Sequence, residues 1–296
     1  MTIKLITWLV ASVYFTSAVF RSLLCFEVSP KITSLLWNEE LVTPFLENYG
    51  LSYTEYLNSD LLQSVLTHTG DYFGVVLILS ALVSLILYLN PFVRVGGKLV
   101  IVAFSALTFA HLFNIAILNY FSKDERIVEI LELAIQWGSP LVFILFVYGK
   151  LKLGFRLISI LAGFTFLGHG VYAFGWPYAV PSHFTDMVID FFGASEQFSA
   201  VFLKMIGVLD FVIAGCYFFN IRSRYILGWA IIWGCATTFA RIGVVGDFSS
   251  LYSVYIWSLE SLVRLGHIIF PLVIYLYHFK LNINDIEKSE ANLKKA

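Results

Sequence analysis

The chain has 296 residues, 59% of them hydrophobic and 13% charged, with a mean hydropathy of +0.81. Too few charges are present to cover a water-exposed fold, so the composition excludes an ordinary soluble globule and points to a polytopic protein whose first partner is the lipid bilayer. A formal net charge of −1 leaves no electrostatic footprint for nucleic acid.

Eight apolar segments match the roughly 20 residues that a helix needs to cross the hydrocarbon core. They run from Leu5 to Leu24, Leu62 to Leu89, Leu99 to Tyr120, Ile127 to Tyr148, Leu157 to Phe174, Phe198 to Phe219, Tyr225 to Val245 and Val254 to Phe279. The first continues past the core length of a signal peptide and has no clear A-x-A site, so it is read as a retained span. The connection from Glu27 to Asp60 carries Glu27, Glu39, Glu40, Glu47, Glu55 and Asp60 against Lys31 alone, and the one from Gly175 to Gln197 carries Asp186, Asp190 and Glu196 with no base. Each contains an amphipathic, aromatic-bearing stretch, Ile32 to Tyr49 and Phe184 to Phe192, suited to a short helix at the outer interface or to a lid on the bundle. Residues 281–296 form a charged tail, expected to be a frayed cytoplasmic end.

Basic residues set the orientation. With the N-terminus in the cytoplasm, Lys4, Arg94, Lys98, Lys150, Lys152, Arg156, Arg222, Arg224, Lys280, Lys288, Lys294 and Lys295 lie inside, against Lys31, Lys123 and Arg126 outside. The positive-inside rule then gives an N-in, C-in protein, read as one of the bacterial inner (cytoplasmic) membrane.

Within the last span, Leu259-Glu260-Ser261-Leu262-Val263-Arg264-Leu265-Gly266-His267 puts Glu260, Arg264, His267 and Pro271 on one helical face. Leu131-Glu132-Leu133-Ala134-Ile135-Gln136-Trp137-Gly138 repeats its spacing, with Glu132 at Glu260, Gln136 at Arg264 and Gly138 at Gly266. Further echoes support a duplication: Thr108-Phe109-Ala110-His111 with Thr238-Phe239-Ala240-Arg241, Cys25-Phe26 with Ala173-Phe174, Arg21 with His169, and Gly70-Asp71 near Gly207 and Asp210. Each half has an even number of spans, so the copies share an orientation. The expected fold is an all-α membrane protein of eight transmembrane helices as two parallel four-helix repeats, residues 1–150 and 151–280.

The run His169-Gly170-Val171-Tyr172-Ala173-Phe174-Gly175, then His183-Phe184, then Ile206-Gly207-Val208-Leu209-Asp210, resembles DoxX-like four-helix membrane proteins, including the DoxD type, over about Leu157 to Phe279. The resemblance implies a four-helix unit and, by analogy with DoxD, an accessory role beside quinone-linked sulfur oxidation, with a protein partner in a membrane complex. Arg21-Ser22-Leu23-Leu24-Cys25-Phe26 in the first half lacks the histidine-glycine pair.

Charges at mid-depth cost about 2.5 to 3.5 kcal/mol each on insertion scales, so intramembrane polar residues need partners inside the bundle. His169, Asp71, Asp210, Glu132, Arg241 and Glu260 fall in the outer half or near the midplane, and His111, Arg264 and His267 around the middle. Together they make a candidate polar core, with Arg241–Glu260, Arg264–Asp210 and His111–Glu132 as the expected pairs. Such a core serves as a structural network. With Tyr172, Phe174 and Trp176 near His169, it also suits a site where a histidine and a carboxylate exchange protons with a quinol. Transport of protons or a small solute is the alternative, but it calls for spans broken in symmetric pairs, and Pro140 and Pro271, beyond the polar face, predict none. A scaffold with no small ligand is the remaining one. No cofactor is firmly implied: quinone fits the pattern, whereas haem, for which His111, His169 and His267 offer ligands on three helices, and a metal, with no ligand pair at i,i+4, are not expected. Cys25, Cys216 and Cys235 stand singly, without the C-x-x-C of thiol-disulfide exchange. The topology is checked by cysteine labelling in intact cells: reagents added outside are expected to reach cysteines placed at Ser59, Ser122 and Ser195 and to miss one at Ser223, and outside labelling at Ser223 would reverse it.

Overall fold

The computed structural model describes residues 3–28, 30–90, 97–244 and 249–281. Arg94, Val245, Lys288, Lys294 and Lys295, and the tail after Leu281, lie outside the described residues. Every regular element among those described is an α-helix: α1 (Ile3–Glu27), α2 (Thr33–Leu36), α3 (Glu39–Glu47), α4 (Tyr53–Leu57), α5 (Asp60–Leu89), α6 (Lys98–Ser122), α7 (Val128–Glu132), α8 (Ala134–Val147), α9 (Leu151–Phe174), α10 (Ser182–Phe192), α11 (Glu196–Phe218), α12 (Arg224–Val244), α13 (Leu251–Leu262) and α14 (Gly266–Phe279).

Backbone groups cannot stay unpaired in hydrocarbon, so apolar segments of this length become helices. Among the described residues, seven stretches are long and apolar enough to cross a membrane: α1, α5, α6, α9, α11, Arg224–Ile242 of α12, and Leu251–Phe279, which contains α13 and α14. That is the pattern of a multi-pass membrane protein. The expected span from Ile127 to Tyr148 is instead divided into α7 and the shorter apolar α8. Caps start α5 and α11: the Ser59 hydroxyl accepts from Leu62 N at 3.2 Å and Ser195 from Phe198 N at 3.3 Å, each followed at once by an acid, Asp60 or Glu196, that complements the helix N-terminus. Gly175, at φ +79°, ends α9, a left-handed backbone that glycine adopts without penalty.

Four helices make the centre. α8 packs on α1 and α9, and α14 packs on the same two helices. Around them α5 lies on α1 and α6, α6 on α8, α11 on α9, and α12 on α13 and α14. Inward-facing aromatic and branched residues fill the middle, with Tyr14 stacked on Phe143 at 4.8 Å and Phe155 on Tyr277 at 4.1 Å between ring centres. The apolar side of α10 closes over α11 and α12.

Lipid tails are as apolar as leucine, so close backbone approach, rather than water exclusion, joins such helices. α1 meets α5 where Gly74 faces the Phe26 ring and the Ser22 hydroxyl donates to Gly74 O at 2.7 Å. α9 meets α11 where Gly207 lies against the backbone of Gly170 and Phe174. Between the centre's helices, Gly138 of α8 faces Leu161 of α9, and Gly266 at the start of α14 faces Val13 of α1 and Ile135 of α8.

A Cβ at Gly207 would stand 2.6 Å from Phe174 N, and one at Gly234 2.3 Å from His267 O, whereas one at Gly215 meets nothing within 4 Å. Backbone cannot yield as a side-chain tip does, so Gly207→Ala and Gly234→Ala are expected to cost about 1 to 3 kcal/mol. Thermal unfolding in detergent should show both losses and leave Gly215→Ala near the parent. Equal behaviour of the three would contradict the described packing.

Candidate functional site

The last span is interrupted where its charges lie. Between α13 and α14 the amides of Arg264, Leu265 and His267 bond carbonyls three residues back, at 2.9, 3.2 and 2.8 Å, a tightened 3₁₀-like turn. With the Arg264 amide on Ser261, the Arg264 guanidinium supplies Glu260 O with a donor, Nη1 at 2.7 Å, and the same nitrogen meets Glu260 Oε2 at 2.6 Å. Pro271 brings no N–H to the carbonyl of His267, and that carbonyl packs against Gly234 of α12. Thr238 Oγ1 donates to Arg264 O at 3.3 Å. The first half has its own interruption at Leu133, between α7 and α8, directly after Glu132. Prolines alone predicted no matched pair of breaks, and the structure corrects that expectation: the breaks lie at the acid-bearing turns, ahead of both prolines.

Arg264 is 8% exposed and stands between acids of both halves, 2.6 Å from Glu260 and 3.9 Å from Glu132. Glu132 is also 4.0 Å from Nδ1 of His169. These contacts replace the expected pairs. Among the described ion pairs there is none between Arg241 and Glu260, Arg264 and Asp210, or His111 and Glu132. Arg241 shares a cavity with Glu260 and Arg264. His111 is turned away toward Tyr72, at 3.4 Å, and Leu107 O, at 2.9 Å. Asp71 is exposed beside His68, 3.6 Å away, and lies outside the polar core. Gly74 of α5 packs against Phe26 much as Gly207 of α11 packs against Phe174. Three residues on from these glycines, Leu77 matches Asp210, and both are buried; three residues back, Asp71 matches Lys204, and both are exposed.

His169, Asp210, Arg241, Arg264 and His267 are brought together on a cavity of about 510 Å³. Its other walls are apolar: Phe184, Met187, Val188, Phe191 and Phe192 of α10, Phe202, Leu203 and Ile206 of α11, and Trp233 and Phe239 of α12. It lies where α11 and α12 barely touch, whereas α5 and α6 pack along their length. Three of its polar atoms are buried without a hydrogen-bond partner: Nε2 of His169, Nε2 of His267 and Oδ1 of Asp210. Asp210 also accepts from Trp233, and the two imidazoles meet edge to face, 5.3 Å between ring centres. Unpaired polar groups in a buried apolar site are costly, so three on residues that line one void mark that end of the cavity as the place where a ligand's polar atoms would be answered.

A second, polar cavity of about 270 Å³ lies beside the first, lined by Arg21, Lys123, Glu129, Glu132, Tyr172, His183, Arg241, Glu260 and Arg264, among others. Lys123 holds Glu129 at 2.8 Å, and Tyr172 donates to the same carboxylate. Arg21 donates to Gln136 at 2.7 Å. Outside the membrane-spanning segments, desolvation by the surrounding protein, followed by the Arg241 guanidinium, pushes the imidazole of His183, itself still exposed at the surface, down to about 4. Arg21, Glu129 and Gln136 were not among the polar-core residues expected from sequence, although the repeat alignment places Arg21 opposite His169 and Gln136 opposite Arg264; Tyr172 was expected as an aromatic neighbour of His169, not as a partner of Glu129. Compared with protein-family models, curated proteins and solved structures, the chain gives no match.

Because Arg264 serves two carboxylates, Arg264→Ala strands both and is expected to cost about 3 to 5 kcal/mol, while Glu260→Gln leaves Arg264 with Glu132 and costs less. Unfolding of the two single variants and the double variant in detergent measures this. The double variant should fall well short of the sum, and strict additivity would mean that the pair carries no coupling.

Proposed function

We propose that the chain is a DoxX-like accessory membrane subunit whose second half binds a lipid-soluble quinone, with the head group at His169, Asp210 and His267 and the tail leaving between α11 and α12. The observation that carries this is one largely apolar cavity lined by His169, Asp210 and His267, each of which has a buried polar atom without a hydrogen-bond partner. A carboxyl and two imidazoles can donate to or accept from quinone and quinol oxygens, and the aromatic walls suit a flat ring.

The same proposal takes the fold as eight spans in two parallel four-helix repeats, with α7 and α8 as one broken span and α13 and α14 as its copy. Reciprocal packing supports it: Gly138 on Leu161 answers Gly266 on Val13, and Gly74 on Phe26 answers Gly207 on Phe174. Both termini are placed in the cytoplasm of a bacterial cell, with the polar cavity outward. In the first half Leu77, Arg21 and Ser139 stand where Asp210, His169 and His267 stand in the second, so one site per chain is expected.

The matched breaks favour a second reading, a transporter for protons or a small solute, because broken spans bring backbone ends to a central site. Decylubiquinone titration of the purified protein separates the two. Saturable quenching of tryptophan fluorescence is expected, through Trp233 in the cavity wall. Asp210→Leu, which copies the first half, and His169→Gln are each expected to weaken binding about tenfold, the worth of a hydrogen bond near 1.4 kcal/mol. Absence of saturable quenching, together with solute or proton flux in reconstituted vesicles, would favour transport.

A further inference from the structure

The two cavities share a wall built from Phe184, Arg241 and Arg264. His169 lines only the larger cavity and Glu132 only the polar one, yet Nδ1 of His169 is 4.0 Å from Glu132 Oε1. The other ring nitrogen, Nε2, is the one left without a partner. An imidazole that meets an acid with one nitrogen and a ligand site with the other can take a proton on one side and give one up on the other.

The acid is also the loosest of those around the polar cavity. Glu129 is held by Lys123 at 2.8 Å and by Tyr172, and Glu260 by Arg264 at 2.6 Å. Glu132 has its cation, Arg264, at 3.9 Å. The charged and titratable groups around it are His169 and Tyr172 from α9, His183 from α10, Arg264 from the turn before α14, Arg241 from α12 and Lys123 after α6. A carboxylate fixed by a close cation gives up its place to a proton only at a large cost, whereas one held at arm's length by several groups changes protonation state more readily.

We infer that Glu132 and His169 form a proton relay that joins the ligand's head group to the outer aqueous face through the polar cavity. The inference rests on the quinone reading of the larger cavity. When a bound quinone takes electrons from an external donor, the Nε2–H bond of His169 breaks as an O–H bond forms on the quinone. Nδ1 takes the proton of the Glu132 carboxyl, and Glu132 recovers one from water in the outer cavity. Exchange of the ring proton between the two nitrogens resets His169 for the second proton. The quinone ends as the quinol, and the donor is oxidised by two electrons.

The test uses the full chain in vesicles with the Gly175-to-Gln197 connection facing out, a pH dye trapped inside, decylubiquinone as the ligand and dithionite added outside. Dithionite passes two electrons to the quinone and becomes bisulfite, its added oxygen coming from water. Glu132→Gln is expected to bind decylubiquinone with unchanged affinity, read by tryptophan quenching, but to slow its reduction by about 100-fold, the usual scale of acid–base assistance. Glu132→Asp should recover part of the rate, and the trapped dye should stay silent. Independently of any quinone, a membrane-impermeant carbodiimide added outside should modify Glu132 faster as the outer pH falls. Wild-type reduction rates in a Glu132→Gln protein of unchanged affinity would overturn the relay and leave the quinone site standing. Alkalinisation of the trapped dye, or a Glu132 that outside carbodiimide never reaches, would also overturn it. If the wild-type protein shows no saturable quenching while Glu132 is still labelled in a pH-dependent way, the quinone site fails and the outer proton port stands.

Discussion

A guanidinium inside a bilayer is tolerated only where its charge is answered, and Arg264 is answered from two sides at once, by Glu260 one turn back and by Glu132 from the other half of the chain. That double pairing fixes much of the rest. Glu132 can reach Arg264 because α7 ends beside the centre of the bundle, against Gly168 of α9. Arg264 stays in place because its own turn presents a carbonyl and a carboxylate to a single nitrogen. The halves are therefore joined by electrostatics where lipid would give apolar side chains little reason to associate.

The tightened turn has a second consequence. An unbroken helix through residues 259–271 would commit the carbonyls of Glu260 and Arg264 to the next turn, and only that of His267, four residues before Pro271, would be left over. Here the carbonyls of Glu260, Arg264 and His267 meet a guanidinium, a threonine hydroxyl and the open Cα of Gly234. The turn thus holds α12 at close range while His267 faces the cavity. Backbone irregularity at membrane depth is accepted where it is buried in protein or lines a cavity, and this turn does both.

Much of this was legible in the chain. The run of apolar segments gave the helices, and the spacing of Glu260, Arg264 and His267 gave the elements of the site, because a charge in hydrocarbon is a strong signal in either sequence or structure. Partners were harder to read. Periodicity says which face of a helix a residue occupies, but not how far one helix slides along its neighbour, and a slide of four residues, from Gly70 to Gly74, is enough to move Asp71 out of the core and put Leu77 opposite Asp210. The expected partner of Arg241 failed for a related reason: Arg264, four residues from Glu260 on the same segment, reaches it locally with no need for a second helix. The breaks were hidden because neither depends on the proline nearby. They follow from the placement of acids and arginine at depth, which proline counting does not sense.

The two halves also differ in a way that bears on where any ligand is held. In the first, α5 and α6 close on each other with small residues between them, Ser84 facing Ser105 at 3.4 Å. In the second, Trp233 of α12 reaches toward Asp210 of α11, and the aromatic side of α10 covers the space that remains. Leu77 at the equivalent point of the first half seals an apolar contact and asks for no partner, whereas Asp210 leaves an oxygen unanswered. An unanswered carboxyl in hydrocarbon is a standing cost, so the second half gives up stability exactly where the first half keeps it. His169 and Arg21 differ in kind as well, since an imidazole on the larger cavity can pass a proton where a guanidinium on the polar one can only hold a charge.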